Sequence, residues 1–497
     1  MTKKHLSQPC KALGLLCLAT GALLVVSCDD VYDSNETWSS DVKNTTLTSP
    51  KAEDITYVAS TDGSTMKISW PVVYGAGGYE VTLLDVTDSE NPVTVDTFKN
   101  AKIDGCSISA TRNEDTNYEF QIKALGNTAL NNKDAETATS STYSTFAGSM
   151  ATIPDGTDLA EWFEANPVPE DTTGMLCYDL VPGGKYTLSK DYDFTTHQVT
   201  LRTTNKSNLA TITYTGENAK LKTGTMIQLK FVNIDASAST QPVVEMSATP
   251  DESLKGASGK GDYYNILGAV VFNGCNITGV NNNLFYDGNK KYCVETLLIN
   301  NCKIHLTSSS TTNINGNAVI YFKAGYANTL QIKNSTLWNT GDSDAKYFVQ
   351  YNNSGRADRA GYTGQYVIFQ NNTFYNIAKS GQWANYSGFN GQKYSNFTVQ
   401  SNIWVNCGNK QVARRIMGGR GESSYPAGQV NFSNNTYMFE GEFESTNGVV
   451  ESYDTSGSAI EEDPGFKDPA NGDFTVSGAA QLSKKTGDPR WLTNATE

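Results

Sequence analysis

Phe369-Gln-Asn-Asn-Thr-Phe374 is one copy of a short pattern that recurs along the second half of the chain. The others are Phe272-Asn-Gly-Cys-Asn-Ile277, Ile299-Asn-Asn-Cys-Lys-Ile304, Ile332-Lys-Asn-Ser-Thr-Leu337, Val399-Gln-Ser-Asn-Ile-Trp404 and Phe432-Ser-Asn-Asn-Thr-Tyr437, with Leu229-Lys-Phe-Val-Asn-Ile234 as an earlier, divergent copy. Each is apolar, then three or four small or polar residues, then apolar. Their first residues lie 27, 33, 37, 30 and 33 apart. So variable a period suits successive rounds of a solenoid whose outer turns take insertions. If parallel strands stack at about 4.8 Å, equal columns become ladders. The fourth column, Cys275, Cys302, Ser335, Asn372, Asn402 and Asn435, then places small or amide side chains where stacked hydrogen bonds satisfy a turn.

Upstream, the runs Leu180–Leu188, Val199–Leu201 and Ala210–Ile212 are short strands between turns, as a coil requires. Ahead of them Asp158-x-x-Glu161 forms a capping box before Leu159, Trp162 and Phe163, predicting a short helix that covers the first end of the coil. Earlier still, Met66–Trp70, Tyr79–Leu83 and Tyr118–Ala124 alternate apolar and polar residues, the mark of half-buried antiparallel strands. Ile68-Ser-Trp70, Gly78-Tyr79 and Tyr118-x-Phe-x-Ile-x-Ala124 resemble a fibronectin type III domain. The repeated columns resemble the pectate-lyase-like right-handed parallel β-helix superfamily. Asp463-Pro-Gly-Phe466, Gly472-Asp-Phe474 and Gly487-Asp-Pro-Arg-Trp491 are similar to the closing segment of β-helix proteins from gut Bacteroidota glycan-use systems. The expectation is an all-β chain: residues 49–147 a fibronectin type III-like sandwich, 148–170 a linker with the capping helix, and 171–497 a parallel β-helix.

Residues 1–27 read as a targeting segment, with Lys3, Lys4 and Lys11 before an apolar run from Ala12 to Val26 and then Ser27-Cys28. This resembles a lipoprotein signal and makes Cys28 the lipidated residue. Cys17 follows Leu16, where a small residue is wanted. Asp29 and Asp30 resemble the surface-export signal of Bacteroidota lipoproteins, and the acidic, Ser/Asn/Thr-rich stretch 28–48 reads as a flexible tether. The resemblance implies an outer-membrane anchor facing the cell exterior and membership of a polysaccharide-utilisation system with import components. Six further cysteines in more than 400 residues make no disulfide framework, and no C-x-x-C suggests a metal or redox site. Cys275 and Cys302, as ladder neighbours, are expected as stacked thiols, with a bridge as the alternative.

The chain carries 38 Lys+Arg against 52 Asp+Glu, a net −14 that excludes a general nucleic-acid binder. Between Asn265 and Tyr437 the balance reverses, with 14 basic residues against six acidic ones. Two Gly-rich insertions concentrate that charge beside aromatics: Tyr351–Tyr362, with Arg356, Arg359 and Tyr362, and Lys379–Tyr394, with Lys379, Trp383 and Tyr386. Arg414, Arg415 and Arg420 follow one coil later. Arg forks take carboxylates bidentately and aromatic faces stack on sugar C–H faces, so these residues are candidate contacts for an acidic, uronate-containing polysaccharide. A surface glycan-binding role without catalysis, metal or cofactor is therefore expected. The alternative is a polysaccharide lyase working by β-elimination, with Lys323, Arg356 or Arg359 as base and Ca²⁺ as neutraliser of the uronate. Against it, the central acids are few, and only Asp342 and Asp344 lie close together in sequence. With His5, His197 and His305 the only histidines, multi-His metal sites and serine-hydrolase chemistry are not expected.

Overall fold

The computed structural model describes residues 42–492 apart from 170–171, 257–262, 309–317, 343, 353–361, 387–394, 418–427 and 444–452. The chain is all-β, with large parallel sheets, and divides into two compact units. Cys28 and the targeting segment lie outside the described residues. Among the described residues no helix is long and apolar enough to cross a membrane.

The first unit runs to Tyr143, with Asp85–Pro92 and Glu114–Asn117 assigned to the second. A three-stranded antiparallel sheet (Thr56–Ala59, Thr65–Ser69, Ser107–Thr111) and a five-stranded sheet built on Ala76–Asp85 and Asn117–Gly126 share one core. Alternation fixes that core. Met66 and Ile68 face inward from one sheet, and Tyr79, Val81, Leu83, Tyr118, Phe120 and Ile122 from the other. Trp70 fills the gap, 5.4 Å from the Tyr79 ring and 5.5 Å from that of Phe120. The buried Tyr118 hydroxyl accepts the Asn113 N–H at 2.7 Å, five residues upstream, closing a turn around the aromatic anchor. The end of the stretch read as a tether is held: Leu47 is buried in this core and Thr46 bridges to Lys133.

In the second unit successive strands visit three parallel sheets in turn. Among the described residues two of these have ten strands, one of them with an antiparallel last strand at Glu442–Phe443, and one has seven. Strand Ala151–Ile153, inside the stretch read as a linker, already pairs in parallel with Met175–Leu180. The helix Leu159–Ala165 forms as its capping box predicts, Asp158 accepting the Glu161 N–H at 3.2 Å. It drives Phe163 against Tyr178 and Phe194 at the start of the core.

The repeat columns are the observed register. Leu229, Phe272, Ile299, Ile332, Phe369, Val399 and Phe432 pair in series across the first ten-stranded sheet. Ile234, Ile277, Ile304, Leu337, Phe374, Trp404 and Tyr437 do the same across the second. All are buried. Between them the chain turns through one left-handed residue: Gly274, Asn301, Asn334, Asn371, Ser401 and Asn434 have φ of 64°, 52°, 49°, 55°, 55° and 52°. Gly and Asn tolerate that region, which accounts for the third column.

The fourth column is fully buried and forms a ladder along the stack. The N–H of Cys275 donates to Sγ of Cys302 at 3.4 Å, that of Cys302 to Oγ of Ser335 at 3.0 Å, and that of Ser335 to Oδ1 of Asn372 at 3.0 Å. Asn372 N–H continues to Asn402 Oδ1 at 3.1 Å and Asn402 N–H to Asn435 Oδ1 at 3.0 Å. Cys275 and Cys302 are free thiols, and burial pushes Cys275 well above the ordinary thiol value.

The segment Tyr453–Ile460 runs past the last strands, with Ile460 N–H donating to Asn435 O at 2.8 Å and Tyr437 O–H to Asp454 Oδ2 at 3.0 Å. The motifs expected to close the fold lie elsewhere. Residues 464–492 run lengthwise along the outer face of the second sheet, where Phe466, Val476, Leu482 and Trp491 pack on Tyr375, Ile403, Val405 and Met438. Thr336 Oγ1 donates to the buried Asp488 at 2.7 Å, Asp488 N–H to Thr373 Oγ1 at 3.1 Å, and Gln481 Nε2 to Thr436 Oγ1 at 3.2 Å.

Another buried carboxylate, Asp287, holds the bend after strand Ala318–Phe322 by accepting the N–H groups of Ala324 at 2.8 Å and Gly325 at 2.7 Å. Burial outweighs these bonds and pushes its carboxyl up to about 6. The folded chain therefore holds this proton more tightly than the unfolded chain, so the group's contribution is present at low pH and lost as pH rises through about 6. Relative to Asp287→Asn, the wild type is expected to gain about 1–2 kcal/mol of unfolding free energy between pH 7.5 and pH 5. Urea unfolding at the two pH values checks this; no relative change would mean that the carboxylate is hydrated.

Candidate functional site

The sequence-predicted contacts separate into three groups. Cys28, Arg356, Arg359 and Arg420 lie outside the described residues. Trp383 and Tyr386 are core residues, which corrects their reading as exposed stacking platforms. They lie on strand Gln382–Tyr386 of the seven-stranded sheet, at 0% and 1% exposure, with Trp383 stacked on Phe348 at 4.3 Å and Tyr386 against Tyr351 at 5.3 Å. Tyr362 is half-buried against the same core. Lys323 stands exposed in the bend that Asp287 holds, without the burial that a general base in β-elimination calls for. Lys379, Arg414 and Arg415 are half-buried.

Two of the fourteen basic residues are neutralised by acids just past the stretch. Lys379 pairs with Glu440 at 3.1 Å and Lys410 with Glu442. Arg414 and Arg415 differ. They sit on the short helix Val412–Ile416, whose Val412, Ala413 and Ile416 are buried, so both guanidinium stems leave from an anchored base. The Nε atoms of both are buried without a hydrogen-bond partner. Burial, then the neighbouring Arg414 charge, holds Arg415 below its ordinary value, opposed by Tyr347 and Tyr453 beside it. Lys346 lies over the Tyr347 ring, 5.4 Å from its centroid. Among the described residues no carboxylate pairs with Lys346, Arg414 or Arg415. Lys346 and Arg415 thus share Tyr347 as a neighbour, and Arg414 stands next to Arg415 on the helix. Sequence reasoning missed Lys346 because it stands outside both insertions.

A cleft of about 570 Å³ opens in the connections leading from the second sheet towards the third. Its floor is set by Asp344, whose Oδ2 accepts the N–H of Ser380 at 2.7 Å and its hydroxyl at 2.8 Å, while Oδ1 is buried without a partner. Asn376 and Asn409, at φ of 56° and 50°, turn the backbone around it. Lys379, Glu440 and the half-buried Phe439 complete the walls. None of the asparagines was singled out from sequence, since they lie outside the repeated columns. Among the described residues no group of three or more His, Cys, Asp or Glu could hold a metal ion.

Three family models match the chain in series. Each is described as a domain of unknown function: DUF4992 over residues 1–180, DUF4957 over 184–340 and DUF5123 over 367–491. No curated protein matches. Among solved structures, the chain is similar to an Fn3-like protein from Clostridium thermocellum at 18% identity, covering 22% of this chain and 97% of that one, with a TM-score of 0.14. It is also similar to a pectate lyase from Erwinia chrysanthemi in complex with tetragalacturonic acid, at 11% identity, covering 69% and 84%, with a TM-score of 0.12. With TM-scores so low, fold and site stand on the register and contacts described above.

Proposed function

We propose that this protein binds an acidic, uronate-containing polysaccharide and does not cleave it. In this reading the three parallel sheets form a right-handed parallel β-helix and the first unit is a fibronectin type III-like spacer. Cys28 carries a lipid that holds both on the outer face of the outer membrane, beside the import components of a glycan-utilisation system. The observation that supports it is the cation group Lys346, Arg414 and Arg415, without a carboxylate partner among the described residues where Lys379 and Lys410 already have theirs. A uronate carboxylate supplies the missing charge, and the partly buried guanidinium stems make each bond to it stronger than an exposed pair would be.

Charge-assisted hydrogen bonds are worth about 1.5–3 kcal/mol, so Arg414→Ala with Arg415→Ala is expected to weaken polygalacturonate binding about 10- to 100-fold at low salt. The difference should shrink as ionic strength shortens the screening length to about 8 Å. Affinity electrophoresis with polygalacturonate, in esterified and de-esterified forms, checks this. Unchanged mobility of the double variant would refute the assignment. Release of an unsaturated product absorbing in the ultraviolet would replace binding with lyase action.

A further inference from the structure

The cleft presents chemistry that the cation group does not use. Its two carboxylates, Asp344 and Glu440, outnumber its one cation, and Lys379 is already held by Glu440 at 3.1 Å. A ligand bearing its own carboxylate is therefore repelled here, whereas three cations invite it at Arg414 and Arg415. The cleft offers instead polar groups without net positive charge, among them the carboxylate of Asp344, held in place by two bonds from Ser380 to its Oδ2. Beside it stand the amides of Asn376 and Asn409, each able to donate and accept, and the ring of Phe439. A carboxylate and amides that pair with hydroxyls, set against one aromatic surface, match a pyranose, which has a polar rim and an apolar C–H face. The volume of about 570 Å³ falls within the range of small-ligand sites.

We propose that this cleft binds a neutral sugar unit. Combined with the acidic-glycan reading, on which this second step rests, it makes the ligand a heteropolymer carrying both neutral and uronate units rather than a uronate homopolymer. The neutral unit lies in the Asp344–Phe439 cleft, and the uronate lies on Lys346, Arg414 and Arg415. The two sites draw on different physics, polar pairing and stacking in one, charge in the other, so salt and substitution separate them.

The test uses the full chain with three probes: β-1,4-galactan as neutral polymer, polygalacturonate as uronate homopolymer and rhamnogalacturonan as the mixed polymer, alongside a printed array of neutral glycans. Rhamnogalacturonan is expected to bind about tenfold or more tightly than polygalacturonate, as two linked contacts should. Phe439→Ala should remove that advantage and leave polygalacturonate binding as it was. Asn409→Gly, which keeps the left-handed turn and deletes only the amide, should lower the advantage with an unchanged melting curve. Equal binding of all probes by both variants and wild type would overturn the cleft assignment, as would failure of the wild type to retain any glycan containing neutral units. Neutral-glycan binding that falls in the cleft variants, with no binding of polygalacturonate at any salt concentration, would uphold the cleft and overturn the acidic-glycan reading.

Discussion

Asn402→Ala is expected to lower the unfolding free energy by about 3–5 kcal/mol, because this one amide serves the turns of three consecutive rounds. Its Oδ1 accepts the N–H of Asn372 at 3.1 Å and the side-chain amide of Asn372 at 2.9 Å. Its Nδ2 donates to Phe369 O at 2.8 Å and to Asn435 Oδ1 at 3.0 Å. The position is 0% exposed, so no water replaces these partners and each orphaned group keeps its desolvation penalty. Asn409→Gly, exposed and compatible with the left-handed backbone there, is the control and should cost only a few tenths of a kcal/mol. Chemical denaturation measures both. A loss below about 1 kcal/mol for Asn402→Ala would mean that the ladder relaxes around the gap.

Trp383→Ala should destabilise the fold by a similar amount, about 3–5 kcal/mol, by opening a cavity among aromatic neighbours. The indole is stacked on Phe348 at 4.3 Å, with Phe374 at 4.8 Å and Trp404 at 5.8 Å. The buried ring meets no ligand, so folded Trp383→Ala protein should bind glycan as the wild type does, and any apparent loss should follow the unfolded fraction. A variant with wild-type melting and weakened binding would place the indole at the surface after all.

These two residues also mark where the sequence was legible. The repeat Phe369–Phe374 spans a turn of constant length between the first two sheets. Its apolar ends therefore align without gaps, and the register of both sheets follows, down to Leu229 in the divergent copy. The connections to the third sheet vary in length, so no column could be drawn through Phe348 or Trp383. Trp383, preceded by Gly381 and Gln382, read as loop although it is strand. The amide ladder was foreseen at its fourth column. The left-handed third column was not, although Gly274, Asn301, Asn334, Asn371 and Asn434 spell it. For the candidate site, the count of charges was right but its boundary was not: Glu440 and Glu442 lie just beyond Tyr437, so Lys379 and Lys410 were counted as free. Arg414 and Arg415, on the helix Val412–Ile416, pair with no acid among the described residues.

In an array whose rounds touch only their neighbours, each round can in principle fray on its own, and stability is close to a sum of local terms. The stretch 464–492 breaks that independence. It touches Thr336, Thr373 and Thr436 on separate rounds, and its Arg490 reaches Asn301 at 2.9 Å on the round before them. It can dock only when all those rounds are in place, and once docked it ties them into one cooperative block. Loss of any one of those rounds would therefore strip this stretch of a partner, so local opening at one round is felt at the others.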